Sequence, residues 1–454
     1  MTPAEAKISP YQLPKDKYQA PPTSFRERLK FIGPGIVVTA SIVGSGELIA
    51  TTTLGARAGF IALWAILLSC LLKVILQLEM GRMTITTGKP TLAFWDMLPG
   101  PRLVANWAVW CWGILLCVKF IQFGGIVGGC GQSLMIPFPG LGLTTAALMV
   151  MIAVILILVF GRYDFIEKIT GLFVFLFVVF TVGVAIMTLF TPWAFSLKDV
   201  LSGLTFRLPP EIAFYALGAF GITGIGGDEI VMYSYWCVEK GYSALTGPAD
   251  KSPEWYDRAR GWIRVMYLDA VIAMVIYTVA TIAFYILGAS ILHGMEKIPA
   301  GMELVKTLAH MYVEPLGPWA LYVVAIGGFI VLFSTLISWT AANQRIVADF
   351  LTRLKLIDLE NYTHLNTVII ISGIALPIVY TLIALVWKAP AFLVFIGGWG
   401  TALILLVIIF GALYHRYRLL DKELRPSIFY DLYLIVGSLA IALVIVYTVI
   451  RLLD

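Results

Sequence analysis

Charge is the scarcest ingredient of this 454-residue chain: Asp, Glu, Lys and Arg together supply 13% of it. A soluble domain carries about 25%, so a water-soluble globule is excluded, and with it the nucleic-acid-binding and soluble-enzyme classes. Cysteine is also sparse. The five residues, Cys70, Cys111, Cys117, Cys130 and Cys237, are odd in number, form no CxxC pair and lie in or beside apolar runs, which implies no disulfide framework. Of four histidines, His293, His310, His364 and His415, each falls outside or at the end of an apolar run. Neither HExxH nor GxSxG appears, and no nucleotide-binding P-loop marks an ATP-driven pump. The absence of a nucleophile–base constellation argues against an enzyme, and no cofactor is expected. Residues 1–30 contain no apolar run of signal-peptide type. They read as a mostly disordered cytosolic tail ending in the basic Arg26–Lys30 stretch.

What is abundant is apolar: 60% of residues are hydrophobic and the mean hydropathy is +0.90. A membrane-crossing helix needs about 20 mainly apolar residues. Apolar windows predict eleven of them, near 31–57, 60–81, 103–133, 141–160, 166–190, 213–238, 262–292, 316–340, 366–387, 391–414 and 430–452. Turn-forming clusters such as Pro99-Gly100-Pro101 and Pro209-Pro210 separate them. With the N-terminus inside, 23 of the 32 Lys and Arg residues fall in cytosolic segments and 7 in outer ones, Lys73 and Lys119 lying within spans. That asymmetry predicts a cytosolic N-terminus and an outer C-terminus in a multi-pass cell-membrane protein. The domain reading is a tail over 1–30 and a transmembrane domain over 31–454.

Two spans are unlike the others. The first contains Gly44, Ser45, Gly46 and Glu47, and the sixth contains a glycine-rich run with Gly224, Gly226 and Gly227 leading into Asp228 and Glu229. Glycine weakens a helix by about 1 kcal/mol relative to alanine, and unwound backbone in a bilayer is tolerated only in protein or beside a wet cavity. Glycines alone would fit close helix packing. Here each cluster runs into carboxylates, and an ionisable group in mid-membrane costs at least about 2.5–3.5 kcal/mol. A binding site explains such acids better than packing does. Breaks in spans one and six fall at corresponding positions of two five-helix halves, about 31–190 and 213–414, as in inverted-repeat transporters with a midplane site. The eleventh helix, near 430–452, is then peripheral.

Several stretches carry a family resemblance. Phe31-Ile32-Gly33-Pro34-Gly35 followed by the run from Thr51 to Phe60, Gly161-Arg162-Tyr163 with Glu167-Lys168, Leu316-Gly317-Pro318, and Phe333-Ser334-Thr335 leading to Ala341-Ala342-Asn343-Gln344 together resemble the Nramp divalent-metal transporters. Asp269 also sits where that family carries an Asp. The likeness covers most of residues 31–415 and implies an all-α, LeuT-like inverted repeat of five plus five helices. The departures fall on the chemistry. Gly44-Ser45-Gly46-Glu47 stands where the family has Asp-Pro-Gly-Asn, and the Gly226-Gly227-Asp228 region where it has Met-Pro-His. Gln122 and Gly125 occupy positions where the resemblance leads one to expect proton-pathway acids.

Two substrates remain open. Glu47, Asp228 and Glu229 offer hard oxygen ligands without a soft thioether, which suits Mg²⁺, Mn²⁺ or Ca²⁺, the first two above all. Any of them could instead be a structural partner for Lys73, Lys119 or a backbone amide. The alternative substrate is a small organic molecule such as an amino acid, its carboxylate held by half-helix N–H groups at Gly-Ser-Gly, an acid of the sixth span facing its ammonium, and Phe220, Tyr233 and Tyr235 closing the pocket. Either way the expectation is a secondary transporter working by alternating access, without obligatory proton coupling, as a monomer in the lipid bilayer with no nucleic-acid partner.

Overall fold

The computed structural model describes residues 9–12, 18–160 and 163–453. Gly161 and Arg162 of the resemblance, and the rest of the expected tail, lie outside them. The chain folds into helices, joined among the described residues by a single small hairpin of β1 (Arg102–Leu103) and β2 (Ala105–Asn106). Helix is the expected solution, because each backbone N–H and C=O in hydrocarbon must be satisfied within its own segment.

The first span is split into Pro34–Ile42 and a stretch that begins as a π-helical segment, Ser45–Thr51, and continues as Thr52–Ala58. The second to fifth spans are Leu63–Thr87, Trp107–Met135, Leu143–Val159 and Tyr163–Met187. The sixth is split into Pro210–Ile222 and Gly227–Glu239. Pro253–Leu287, Ala320–Arg353, Tyr362–Val386, Pro390–Tyr414 and Ile428–Leu453 complete the eleven. Among the described residues eight helical runs are long and apolar enough to cross a membrane, one of them joining Ser45 to Thr87; Leu143–Val159 is a shorter apolar helix. The third helix starts four residues later than its apolar window, because Asn106 caps it by accepting from the Ala108 N–H after the hairpin has used residues 102–106.

The ends follow local chemistry. Proline opens Pro34–Ile42, Pro210–Ile222, Pro253–Leu287 and Pro390–Tyr414, where its missing N–H costs nothing. Gly88, at φ 71°, stops the second helix in the left-handed conformation. Glycines bring the sixth and tenth helices into backbone contact: a Cβ on Gly221 would strike the Gly398 carbonyl, and one on Gly398 would strike that of Gly218. Close packing is therefore the role of Gly221, as small-residue contacts in membranes provide. The eleventh helix lies outside this core, against Leu63–Thr87 and Pro210–Ile222, with Leu439, Leu443 and Val446 exposed on its free side.

The described parts of the tail are held against the folded domain. Ser9 and Tyr11 are buried; Ser9 Oγ donates to the Leu359 carbonyl (2.9 Å) and Tyr11 Oη to Glu239 (3.3 Å). Ser24 and Glu27 form a capping box that starts the short helix Phe25–Leu29. A polar, proline-bearing composition gives no sign of the surface on the folded domain that receives these residues.

Candidate functional site

The first span loses its helical path at Val43 (φ −72°, ψ 62°) and Gly44, and the sixth is non-helical over Thr223–Gly226, with Gly224 at φ +59°. Both breaks are narrower than the glycine runs suggested. Ser45, Gly46 and Glu47 belong to the first turn of the π-helical segment. Gly227, Asp228 and Glu229 open the second half of the sixth span, where a helix N-terminus favours negative charge.

The two breaks meet. A Cβ on Gly46 would lie 2.7 Å from the Ile222 carbonyl, so only glycine lets the first span come this close to the end of Pro210–Ile222. Across this contact Glu47 Oε1 accepts from the Gly224 N–H (3.1 Å) and from Thr281 Oγ1 (2.9 Å) of the seventh helix. Its other oxygen, Oε2, is buried and has no hydrogen-bond partner. A Cβ on Gly44 would collide with Thr335 of the eighth helix, and Ser45 Oγ accepts from Gln122 Nε2 (3.3 Å).

Asp228 is engaged elsewhere. Lys119 Nζ of the third helix lies 2.5 Å from its Oδ2, which also accepts from Trp339 Nε1 (3.2 Å). Thr401 Oγ1 is 3.4 Å from Oδ1, and Phe123 stacks on Trp339 with ring centroids 3.9 Å apart. Glu229, the next residue, keeps a buried Oε2 without a hydrogen-bond partner. The exposures of Glu47, Asp228 and Glu229 are 0%, 3% and 5%, so all three carboxyl groups are buried in protein.

The three acids do not form one carboxylate cage. Among the described residues no group of three or more His, Cys, Asp or Glu is disposed to hold a metal ion. The geometry instead separates Glu47, at the contact of the breaks, from Asp228 in its pair with Lys119. Pairing of an acid with an intramembrane lysine, left open by the sequence, holds for Asp228 and Lys119.

Lys73 serves neither acid as an ion-pair partner among the described residues. From the second helix its Nζ reaches the carbonyls of Phe220 (2.7 Å), Thr223 (2.8 Å) and Gly221 (3.3 Å), at the C-terminal end of Pro210–Ile222. Ser69, one turn earlier, lies within hydrogen-bond distance of Phe220 O and Thr223 O and accepts from Thr223 Oγ1. A serine and a lysine four residues apart on one helix face were the available signal, but nothing in the sequence indicates that they face backbone. Tyr233 and Tyr235 do not close a pocket as expected. Tyr233 donates to Asp269 (3.0 Å) and Tyr235 to Asp349 (2.7 Å). Asp269 in turn accepts from the N–H groups of Gly33 (2.8 Å) and Gly35 (2.7 Å), and so holds the start of the first span.

Ten helices in two five-helix repeats with an eleventh outside them, broken at the first and sixth positions with polar groups gathered at the breaks, define a membrane transporter of the LeuT-like fold. The model of the family described as natural resistance-associated macrophage protein-like matches residues 35–451, and the chain belongs to that family. It is 25% identical over 348 residues to the divalent metal cation transporter MntH of Brucella suis biovar 1 (strain 1330), covering 73% of this chain and 70% of the relative. Among solved structures, the manganese transporter of Eremococcus coleocola superposes with a TM-score of 0.55 at 15% identity, covering 98% of this chain and 99% of that one. MhsT, solved with L-phenylalanine, gives 0.57 at 15% over 96% and 100%. Mhp1, a nucleobase-cation-symport-1 family transporter, gives 0.55 at 14% over 96% and 93%. These structural likenesses concern the fold.

Proposed function

We propose that this transporter carries a hard divalent cation, Mg²⁺ or Mn²⁺, by alternating access, with Glu47 as its principal charged ligand. The observation that carries the reading is Glu47 itself. Its carboxylate sits where the two breaks touch, one oxygen fixed by Gly224 and Thr281, the other buried and unpartnered. A buried carboxylate oxygen without a donor is costly unless a cation or proton meets it. Mg²⁺ is commonly held by one or two carboxylates together with retained waters, so a three-acid cage is not required. Glu229 is the second candidate ligand. Asp228 becomes available when Lys119 releases it, and the carbonyls near Gly44 and Gly224 supply further oxygens. The name of the Brucella relative, a divalent metal cation transporter, favours the same substrate class.

The closed breaks represent the occluded stage of the cycle, in which Gly44, Ser45 and Gly46 on one side and Gly224, Gly226 and Gly227 on the other separate to admit the ion. The working unit is a monomer, with repeats of about 31–190 and 213–414, a cytosolic N-terminus and an outer C-terminus.

A second reading, transport of a small organic zwitterion, is favoured by one observation: Lys119 already neutralises Asp228 inside the site. Calorimetry on the purified protein with Mg²⁺, Mn²⁺ and a panel of amino acids separates the two. The metal reading expects heat from the cations alone. It also expects a loss of roughly 10- to 150-fold in affinity for Glu47→Gln, the equivalent of one charge-assisted contact of about 1.5–3 kcal/mol. Heat from an amino acid alone, or cation binding unchanged in Glu47→Gln, overturns it.

A further inference from the structure

A broken helix in a transporter exposes carbonyls at the C-terminal end of its first half, and such ends are where coupling cations are commonly coordinated. The end of Pro210–Ile222 has the required chemistry. Its last carbonyls lack intrahelical partners and carry the negative end of the helix dipole. Here the position is filled from within the chain. The Lys73 ammonium, fully buried, stands 2.7, 2.8 and 3.3 Å from the Phe220, Thr223 and Gly221 carbonyls, with the Phe220 ring centroid 5.4 Å away. Three oxygens at these distances use the three donors of an ammonium group. Among the described residues no carboxylate lies within ion-pair distance of Lys73, so the backbone carbonyls supply its counter-charge.

We infer that Lys73 is a tethered cation, standing in for a free monovalent ion at the sixth-span break and making the closed conformation independent of sodium, potassium or lithium. The carbonyls of Phe220, Gly221 and Thr223 belong to the residues that must move if the breaks separate. An ion bound there would couple its own gradient to that movement, whereas an ammonium anchored on the second helix cannot leave and carries no gradient. Lys73 therefore acts as a positioning residue: it holds the end of Pro210–Ile222 against the second helix while substrate is bound elsewhere. The inference is independent of what the transporter carries.

The test uses the detergent-solubilised full chain without substrate. Melting temperatures are compared in choline, sodium, potassium and lithium chloride at equal ionic strength for the native protein, Lys73→Met and Lys73→Gln. The native protein should melt at the same temperature in all four salts. Lys73→Met, which keeps the length of the stem and removes the charge, should melt lower in choline and recover by several degrees in at least one alkali chloride. Lys73→Gln, with an amide that can still donate to two carbonyls, should show a smaller loss and a smaller recovery. If Lys73→Met folds only when an alkali cation is present during purification, that is the same result in stronger form. Three outcomes overturn the inference: an alkali-dependent rise in the native protein, equal melting of Lys73→Met and native protein in choline, or a loss of folded protein in both variants that no alkali cation restores.

Discussion

Lys119 Nζ and Asp228 Oδ2 lie 2.5 Å apart, with side-chain exposures of 2% and 4%, and join the third helix to the first turn of the second half of the sixth. A pair so fully desolvated gains little over a well-packed apolar pair of the same shape, but each partner depends on the other: removal of one leaves a buried charge uncompensated, at roughly 3–5 kcal/mol. Lys119→Met and Asp228→Asn should each lower the melting temperature sharply. The double variant should recover most of the loss, and a double-mutant cycle measures that coupling. Additive losses would show that the two charges act independently.

The breaks were legible in the sequence because glycine clusters and mid-span acids are rare in membrane helices. Their extent was not. The sequence cannot show that Ser45–Thr51 rewinds at once as a π-helical segment, or that Asp228 and Glu229 begin a helix rather than end a loop, since both depend on what packs against the break. Lys73 was visible as an intramembrane charge, and pairing rules point such a charge to a carboxylate. Its actual partners are backbone carbonyls, which no residue pattern marks. Asp269 was visible only through the family resemblance; its capping of Gly33 and Gly35 spans more than 230 positions of chain. The organisation into eleven helices was readable because hydropathy is a local property, and the contacts that assign roles to polar residues are not.

The contact between the breaks predicts a steric result. A Cβ on Gly46 meets the Ile222 carbonyl at 2.7 Å, a backbone atom that cannot swing aside. Gly46→Ala should destabilise the closed conformation by roughly 1–3 kcal/mol, the usual cost of overpacking. Gly183→Ala provides the control: it lies in a helix with nothing within 4 Å of the added carbon and should be neutral or slightly stabilising. Thermal melting of the two variants side by side checks the contrast.

Membrane orientation predicts labelling. With 23 of the 32 basic residues assigned to cytosolic segments, a cysteine at the exposed Lys422 should react with an impermeant maleimide only after the cytosolic face is opened. A cysteine at Leu453, which is 82% exposed, should react in intact cells. The opposite pattern at either position would invert the topology.

Asp269 predicts a purely structural defect. It accepts from two backbone N–H groups and one tyrosine hydroxyl, whereas an asparagine amide in its place would present one acceptor oxygen and an unwanted donor. Asp269→Asn should therefore cost roughly 1.5–3 kcal/mol, the value of a hydrogen bond to a charged group, read as a lower melting temperature. Substrate affinity, measured by calorimetry well below the melting transition, should be unchanged, because Asp269 touches neither Glu47 nor Asp228.

Proton coupling is the last expectation and the most consequential for the transport cycle. A proton relay needs ionisable groups in series. At the two positions of the third helix where the family resemblance places acids, this chain has Gln122, which donates to Ser45, and Gly125, which packs against the Pro390 carbonyl. The ionisable group left on that helix at the site is Lys119, already held by Asp228. Asp269 is occupied by three donors at the start of the first span and is a poor substitute for the missing acids. Proteoliposomes loaded with a pH-sensitive dye should therefore show Mn²⁺ entry, followed with a metal-quenched fluorophore, without matching acidification. Uptake should also persist when the pH gradient is collapsed by an ionophore. Stoichiometric acidification would refute this expectation, and repeating the measurement on Asp269→Asn would then show whether that carboxylate carries the proton.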